Sequence, residues 1–204
     1  MSYQLDWRRQ WKWWLFVIIF LGGLVKLVER YRTHHEHSQD AAILAAARKY
    51  GVDPALVKAV VWRESWFNPH AKGRKGEIGL MQIREEAAGE WAKAEHVLLF
   101  THYQLFDPVK NTLAGTWYLH KLLGRYQRTD NPLPYALADY NAGRAHVLRW
   151  AEGAAATNSM EFEAQIGFPS TRDYVRMVMK RYEHYRRVFP REQMIRESSG
   201  GHKS

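Results

Sequence analysis

The chain has 204 residues, 46% of them hydrophobic and 14% aromatic, which suits one compact domain with an appendage and is too apolar for a disordered chain. Its 30 Lys and Arg against 21 Asp and Glu leave a formal charge of +9, which points to an anionic surface or polymer. The basic residues are scattered and no nucleic-acid-binding module is present, so nucleic acid is set aside; the absence of cysteine excludes disulfides, thiolate metal sites and thiol nucleophiles and fits an oxidising compartment.

In chain order, residues 1–10 read as a cytoplasmic N-terminus carrying Arg8 and Arg9. Trp13 to Val25 is uncharged between Lys12 and Lys26, and the longer run 11–28 predicts a transmembrane anchor with both lysines reaching the interface and Trp11, Trp13 and Trp14 seated there. No small-x-small cleavage site follows, so the segment reads as an uncleaved anchor and not a signal peptide. Residues 29–38 form a polar linker. Its His34, His35 and His37 lack converging acidic or thiolate partners, so no metal site is assigned.

Residues 39–189 then read as helix after helix. Ser38 is positioned to cap a helix from Asp40 to Tyr50 that Gly51 ends. Asp53-Pro54 pairs an N-cap with a first-turn proline and opens a second helix, which Asn68-Pro69 breaks. Gly73, Gly76 and Gly79 make a loop with room for a minimal β-hairpin. A helix is predicted from Gln82 to Ala94, with Trp91 inward and Glu85, Glu86 and Glu90 as a solvated face. Asp107-Pro108 repeats the cap device for a helix to Tyr126. Further helices are predicted over Tyr135–Asn141, over Arg144–Ala151, and from a capping-box-like Ser170-Thr171-Arg172-Asp173 onward. Glu152 to Pro169 reads as irregular, and residues 190–204 as a disordered tail. The fold class is mainly α.

The chemistry centres on Glu64. Leu56, Val60 and Glu64 recur at four-residue spacing with Val57 and Val61 alongside, so a carboxyl continues an apolar stripe at a helix end. Partial burial raises the pKa of such a group and lets it serve as a general acid; a glutamate that merely reaches water is the plain alternative.

Around this residue stand Glu64-Ser65, Asn68-Pro69, a glycine-containing turn, Gly79-Leu80-Met81-Gln82, Asp107-Pro108 with Asn111, Ala138-Asp139-Tyr140-Asn141-Ala142-Gly143 and Thr171-Arg172-Asp173-Tyr174-Val175. In that order they resemble the family-1 lytic transglycosylases of the SLT type over roughly Asp40 to Phe189. The resemblance implies a lysozyme-like fold and cleavage of the bond between N-acetylmuramic acid and N-acetylglucosamine in peptidoglycan glycan strands. It implies one catalytic glutamate, Glu64, a 1,6-anhydro product, and neither metal nor organic cofactor. It also implies that Ser65 supports Glu64 or the local backbone, that Met81 and Gln82 line the sugar trough, and that Tyr140 points its hydroxyl toward Glu64 or the adjacent sugar. Asn141 contacts sugar or ties down its own turn, Leu80 belongs to the core, and Gly79 and Gly143 permit close backbone approach. Glu77 is a further candidate facing the cleft. If Glu77 or Asp139 activated water, the enzyme would be a hydrolytic muramidase.

Two positions depart from the family pattern. Lys72-Gly73 stands where members often carry a serine, and Ser170 where they often carry glutamate, which puts the contacts of those side chains in doubt. The expected setting is a single-pass protein of the bacterial inner membrane with its catalytic domain in the periplasm, acting in wall growth or for an envelope-spanning machine. An inactive membrane-tethered scaffold that binds peptidoglycan is the alternative from another functional class.

Overall fold

The structure, a computed structural model, describes the backbone of residues 7–200 and, within it, the side chains of residues 11 and 13–189. It divides into two units, Met1–Ser38 and Gln39–Ser204. The expected cytoplasmic stretch 1–10 lies largely outside the described residues.

The first unit is a single helix, α1 (Trp7–His37). It runs through the expected linker, because residues 29–37 contain neither Gly nor Pro and their polarity does not oppose helix formation. Ser38 closes this helix instead of opening the next, its hydroxyl donating to the His35 carbonyl at 2.7 Å. Side chains from Trp13 to Val28 are exposed throughout. The predicted transmembrane crossing over 11–28 is not supported: among the described residues no helix is long and apolar enough to cross a membrane.

The second unit is helical throughout: α2 (Asp40–Tyr50), α3 (Pro54–Ser65), α4 (Glu85–Ala94), α5 (Pro108–Arg125), α6 (Pro132–Ala142), α7 (Arg144–Trp150), α8 (Ser159–Gln165) and α9 (Pro169–Gly200). The starts of three helices use one device. Asp53, Asp107 and Asn131 accept from the first-turn N–H groups of Ala55, Lys110 and Leu133, and a proline follows each cap. Gly51 ends α2 in the left-handed conformation at φ 65°.

α3 is the central element, packed by α2 and α9, while α5 joins α2, α4 and α6, and α6 meets α9. An apolar stripe understates it, for every residue from Ala55 to Val61 is buried. That includes Lys58, whose ammonium donates to Asp40 at 2.6 Å and lies 4.2 Å from the centre of the Phe189 ring.

Two further expectations are corrected. The stretch 152–169 is ordered by a turn of 3₁₀ helix (Gly153–Ala156) and by α8, which Asn158 caps. Phe162 stacks on Tyr135 at 4.0 Å and the Tyr135 hydroxyl donates to Ala155 O, a tertiary tie that local composition does not announce. The helix α9 continues past Phe189 to Gly200, because Arg191-Glu192-Gln193-Met194-Ile195-Arg196-Glu197 are good helix formers, so 190–200 is not the irregular tail expected. No strand occurs among the described residues. The loop between α3 and α4 holds isolated antiparallel bridges, Lys72 with Ile78 and Ile78 with Ile83, in place of a full hairpin.

Candidate active site

Glu64 sits one residue from the C-terminal end of α3. Trp66 and Phe67 then turn the chain through left-handed φ values of 52° and 61°, an uncommon state for aromatic residues that Phe67 sustains by complete burial. The chain thus leaves α3 sharply, and the Glu64 carboxyl opens into a cleft of about 410 Å³ whose walls include Glu77, Gln82, Arg84, Tyr118, Tyr140 and Asn141.

Burial dominates the electrostatics of Glu64 and pushes its pKa from 4.5 up to about 7. The Tyr174 hydroxyl, donating to Oε1 at 2.6 Å, and the Arg63 charge pull the other way, while Glu77 adds a small upward push. The unfavourable end of the α3 dipole acts in the same sense as burial. Since the Tyr174 hydroxyl donates to Oε1, the proton of the neutral acid belongs on Oε2. Tyr174 is itself fully inside the protein, and burial beside Glu64 raises its hydroxyl far above its usual pKa, so it acts only as a donor.

The loop facing Glu64 is held carbonyl by carbonyl. Asn111, entirely buried on α5, donates to Ile78 O at 2.9 Å and Leu105 O at 2.8 Å, and accepts from Met81 N at 2.8 Å. Gln82 Nε2 donates to Gly79 O and Ala71 O, the Ser65 hydroxyl to Leu80 O, and the Tyr140 hydroxyl to Met81 O at 2.7 Å. Gly79 is required here: its φ is 76°, and a Cβ would fall 2.0 Å from Asn111 Nδ2.

These contacts place the sequence candidates. Glu64, Glu77, Gln82, Tyr140 and Asn141 come together at the cleft, whereas Ser65 and Met81 are absent from its lining. Ser65 serves the backbone. Met81 is not a trough residue but lies in the core with Leu80, its sulfur against Gly115, where a Cβ would be 2.4 Å away. The Tyr140 hydroxyl is directed at the loop and not at Glu64, although the two groups are close enough to interact electrostatically. Asn141 accepts from the Thr171 hydroxyl at 2.8 Å, which ties α6 to α9, and α9 starts at Pro169, so Ser170 lies inside the helix and not at its cap as expected. Glu77 Oε2 accepts from Lys75 N at 2.9 Å and fills the space a side chain at Gly73 would need, its oxygen 2.3 Å from that Cβ position.

Asp139 is engaged elsewhere, with Oδ2 accepting from Arg125 at 2.5 Å and from the Tyr126 hydroxyl at 2.7 Å. Tyr174 and Asn111 are the residues whose roles sequence reasoning missed. Tyr174 stood in the last motif with no role attached, and only the packing of α9 on α3 reveals its partner. Asn111 stood in a recognised motif with no role attached.

Residues 41–162 match the family described as the transglycosylase SLT domain. The chain is 35% identical over 132 residues to the membrane-bound lytic murein transglycosylase C of Edwardsiella ictaluri, covering 61% of this chain and 36% of that one. It is 36% identical over 137 residues to the protein of the same name from Shigella sonnei, with 64% and 38% covered. The chain therefore spans little more than a third of the length of these relatives.

Among solved structures, an inactive glutamate-to-glutamine mutant of the lytic transglycosylase Slt from Pseudomonas aeruginosa superposes with a TM-score of 0.67 at 25% identity, over 74% of this chain and 24% of that one. The 70 kDa soluble lytic transglycosylase of Escherichia coli gives 0.64 at 28% identity, over 73% and 24%. A complex of the 70 kDa soluble lytic transglycosylase with bulgecin A gives 0.69 at 26%, over 80% and 26%.

Proposed function

The chain belongs to the transglycosylase SLT domain family, and from that premise we propose that it is a peptidoglycan lytic transglycosylase in which Glu64 is the single acid and base. The observation that carries this reading is a carboxyl raised to about 7, anchored on one oxygen by Tyr174 and belonging to a residue that lines a cleft. Such a group is protonated at mildly acidic pH and near half-protonated at neutrality, which is what a general acid requires.

In the proposed reaction the glycan strand lies across the cleft with the oxygen between N-acetylmuramic acid and N-acetylglucosamine at Glu64 Oε2. Glu64 gives its proton to that oxygen as the C1–O bond breaks, and the N-acetylglucosamine leaves as an alcohol. The electron deficit at C1 spreads onto the ring oxygen as an oxocarbenium-like centre. The Glu64 carboxylate then takes the proton of the muramoyl C6 hydroxyl as its oxygen attacks C1. The 1,6-anhydro ring closes and the acid is restored, so no water is consumed. The internal hydroxyl is favoured over water by its high effective concentration.

Glu77, Glu86 and Asp139 are the other carboxylates lining the cleft, and Glu86 lies 3.8 Å from Arg84. Asp139 is committed to Arg125 and Tyr126, which weighs against its use as a hydrolytic base. Of the two carboxylates the sequence offered for activating water, Glu77 is the one not so committed, and it keeps the muramidase reading testable. Exposed apolar side chains from Trp13 to Val28, together with relatives named membrane-bound, support attachment of α1 to the bacterial inner membrane with the catalytic domain on the periplasmic side.

Mass spectrometry of the products from purified peptidoglycan tests the assignment. Anhydromuropeptides are expected. Reducing ends would make the protein a hydrolase, and uncut peptidoglycan that carries the protein down on centrifugation would make it a binding scaffold.

A further inference from the structure

A second groove of about 730 Å³ lies beside the catalytic cleft, and Glu77 lines both. One wall is the loop from Lys72 to Ile78, and the others are Glu85 and Gly89 of α4 and the segment from Phe100 to Phe106. We propose that this groove is an accessory saccharide-binding site that grips the glycan strand outside the catalytic cleft, a reading that rests on the function proposed above.

Three observations carry it. Tyr103 is 76% exposed, and its ring stacks on Phe106 at 6.4 Å with 28° between the planes, so a flat aromatic surface is held open to solvent by a second ring. Large rings left exposed and braced in this way present an apolar face to the C–H faces of a pyranose. Gly89 stands in the middle of α4, where glycine weakens a helix, yet a Cβ there would meet nothing within 4 Å. No packing contact demands a glycine at this position. Its consequence is a bare helix flank facing the groove, with room for a ligand that a larger side chain would displace.

The polar groups decide which part of peptidoglycan fits. Glu77 and Glu85 supply carboxylate oxygens that accept hydrogen bonds from hydroxyls, while Lys72 is drawn over the Phe106 ring at 5.3 Å. Two carboxylates repel the acidic peptide stems of the wall and suit the neutral, hydroxyl-bearing sugars. The shared Glu77 wall makes the same polymer the natural occupant of both grooves.

The test uses the full chain and peptide-free glycan strands of two defined lengths, a tetrasaccharide for the cleft alone and a longer strand that extends past the shared Glu77 wall into both grooves. Tyr103→Ala removes the aromatic surface, and Gly89→Leu fills the groove while favouring the helix. Each variant is expected to raise KM for the long strand about tenfold and to leave kcat, and KM for the tetrasaccharide, at wild-type values. Direct binding to Glu64→Gln protein, with and without Tyr103→Ala, should show the same long-strand deficit without turnover. Equal long-strand affinity in both variants and the parent would overturn the accessory site even with catalysis intact. A parent protein that binds long strands through Tyr103 but cuts none would overturn the catalytic reading and leave the groove standing.

Discussion

Glu64 and Asp139 both line the cleft, and their surroundings set them to opposite tasks. Asp139 is 2% exposed and spends one oxygen on a guanidinium and a phenol from the end of α5, so its charge is compensated and its geometry joins α6 to α5. Glu64 has the neutral hydroxyl of Tyr174 as its close donor, and burial holds it up to about 7. Charge-paired carboxylates hold structures together; an acid whose hydrogen-bond donor is a neutral hydroxyl and whose burial outweighs the neighbouring charge keeps a proton available for chemistry. The same contrast separates the two tyrosines, Tyr174 bonded to the acid and Tyr140 bonded to the loop carbonyl of Met81.

Four substitutions press on this contrast. Glu64→Gln keeps the acceptor for Tyr174 but carries no proton to give, and cleavage should fall by about a thousandfold or more, measured as soluble muropeptide release. Its stability should move the other way. A carboxyl whose folded pKa lies above its unfolded value binds more protons in the folded state, so stability falls as pH rises from 4.5 to about 7. The Gln variant should therefore be more stable than the parent at pH 8, by on the order of 3 kcal/mol, and equally stable at pH 4.

Asp139→Asn should instead cost about 1–3 kcal/mol of stability, read by denaturant unfolding, with kcat of the folded protein retained. A loss of kcat as large as that of Glu64→Gln would place Asp139 in the chemistry and erase the distinction.

Tyr174→Phe should lower activity about tenfold, the worth of one hydrogen bond to a charged group. It should also move the falling limb of the pH–rate profile to higher pH, because this donor favours the ionised form of Glu64. Tyr140→Phe is the smallest change. It frees the Met81 carbonyl, should cost about 1 kcal/mol in a thermal melt, and should leave that limb within a few tenths of its parent position.

The helices were legible where local chemistry decides: Asp53-Pro54, Asp107-Pro108 and Gly51 each mark a boundary with a cap the backbone uses. The Glu64 environment was legible as well, because apolar spacing predicts burial. What local reasoning lost were decisions made at long range. Tyr174 lies 110 residues from Glu64 in sequence and 2.6 Å from it in space. Ser65, Gln82 and Tyr140 carry side chains equally suited to a sugar or to a carbonyl, and only the path of the Gly79–Gln82 loop turns their hydrogen bonds onto carbonyls. The α8 segment escaped because its order depends on Tyr135, from another helix.

Carboxyl ¹³C chemical shifts of the glutamates, followed against pH and assigned by difference with Glu64→Gln, address the central claim without substrate. A midpoint near 7 for Glu64 is the expected result. A midpoint at the ordinary glutamate value of 4.5 would mean that the acid is ionised throughout the neutral range, and the proposed proton donor would not exist.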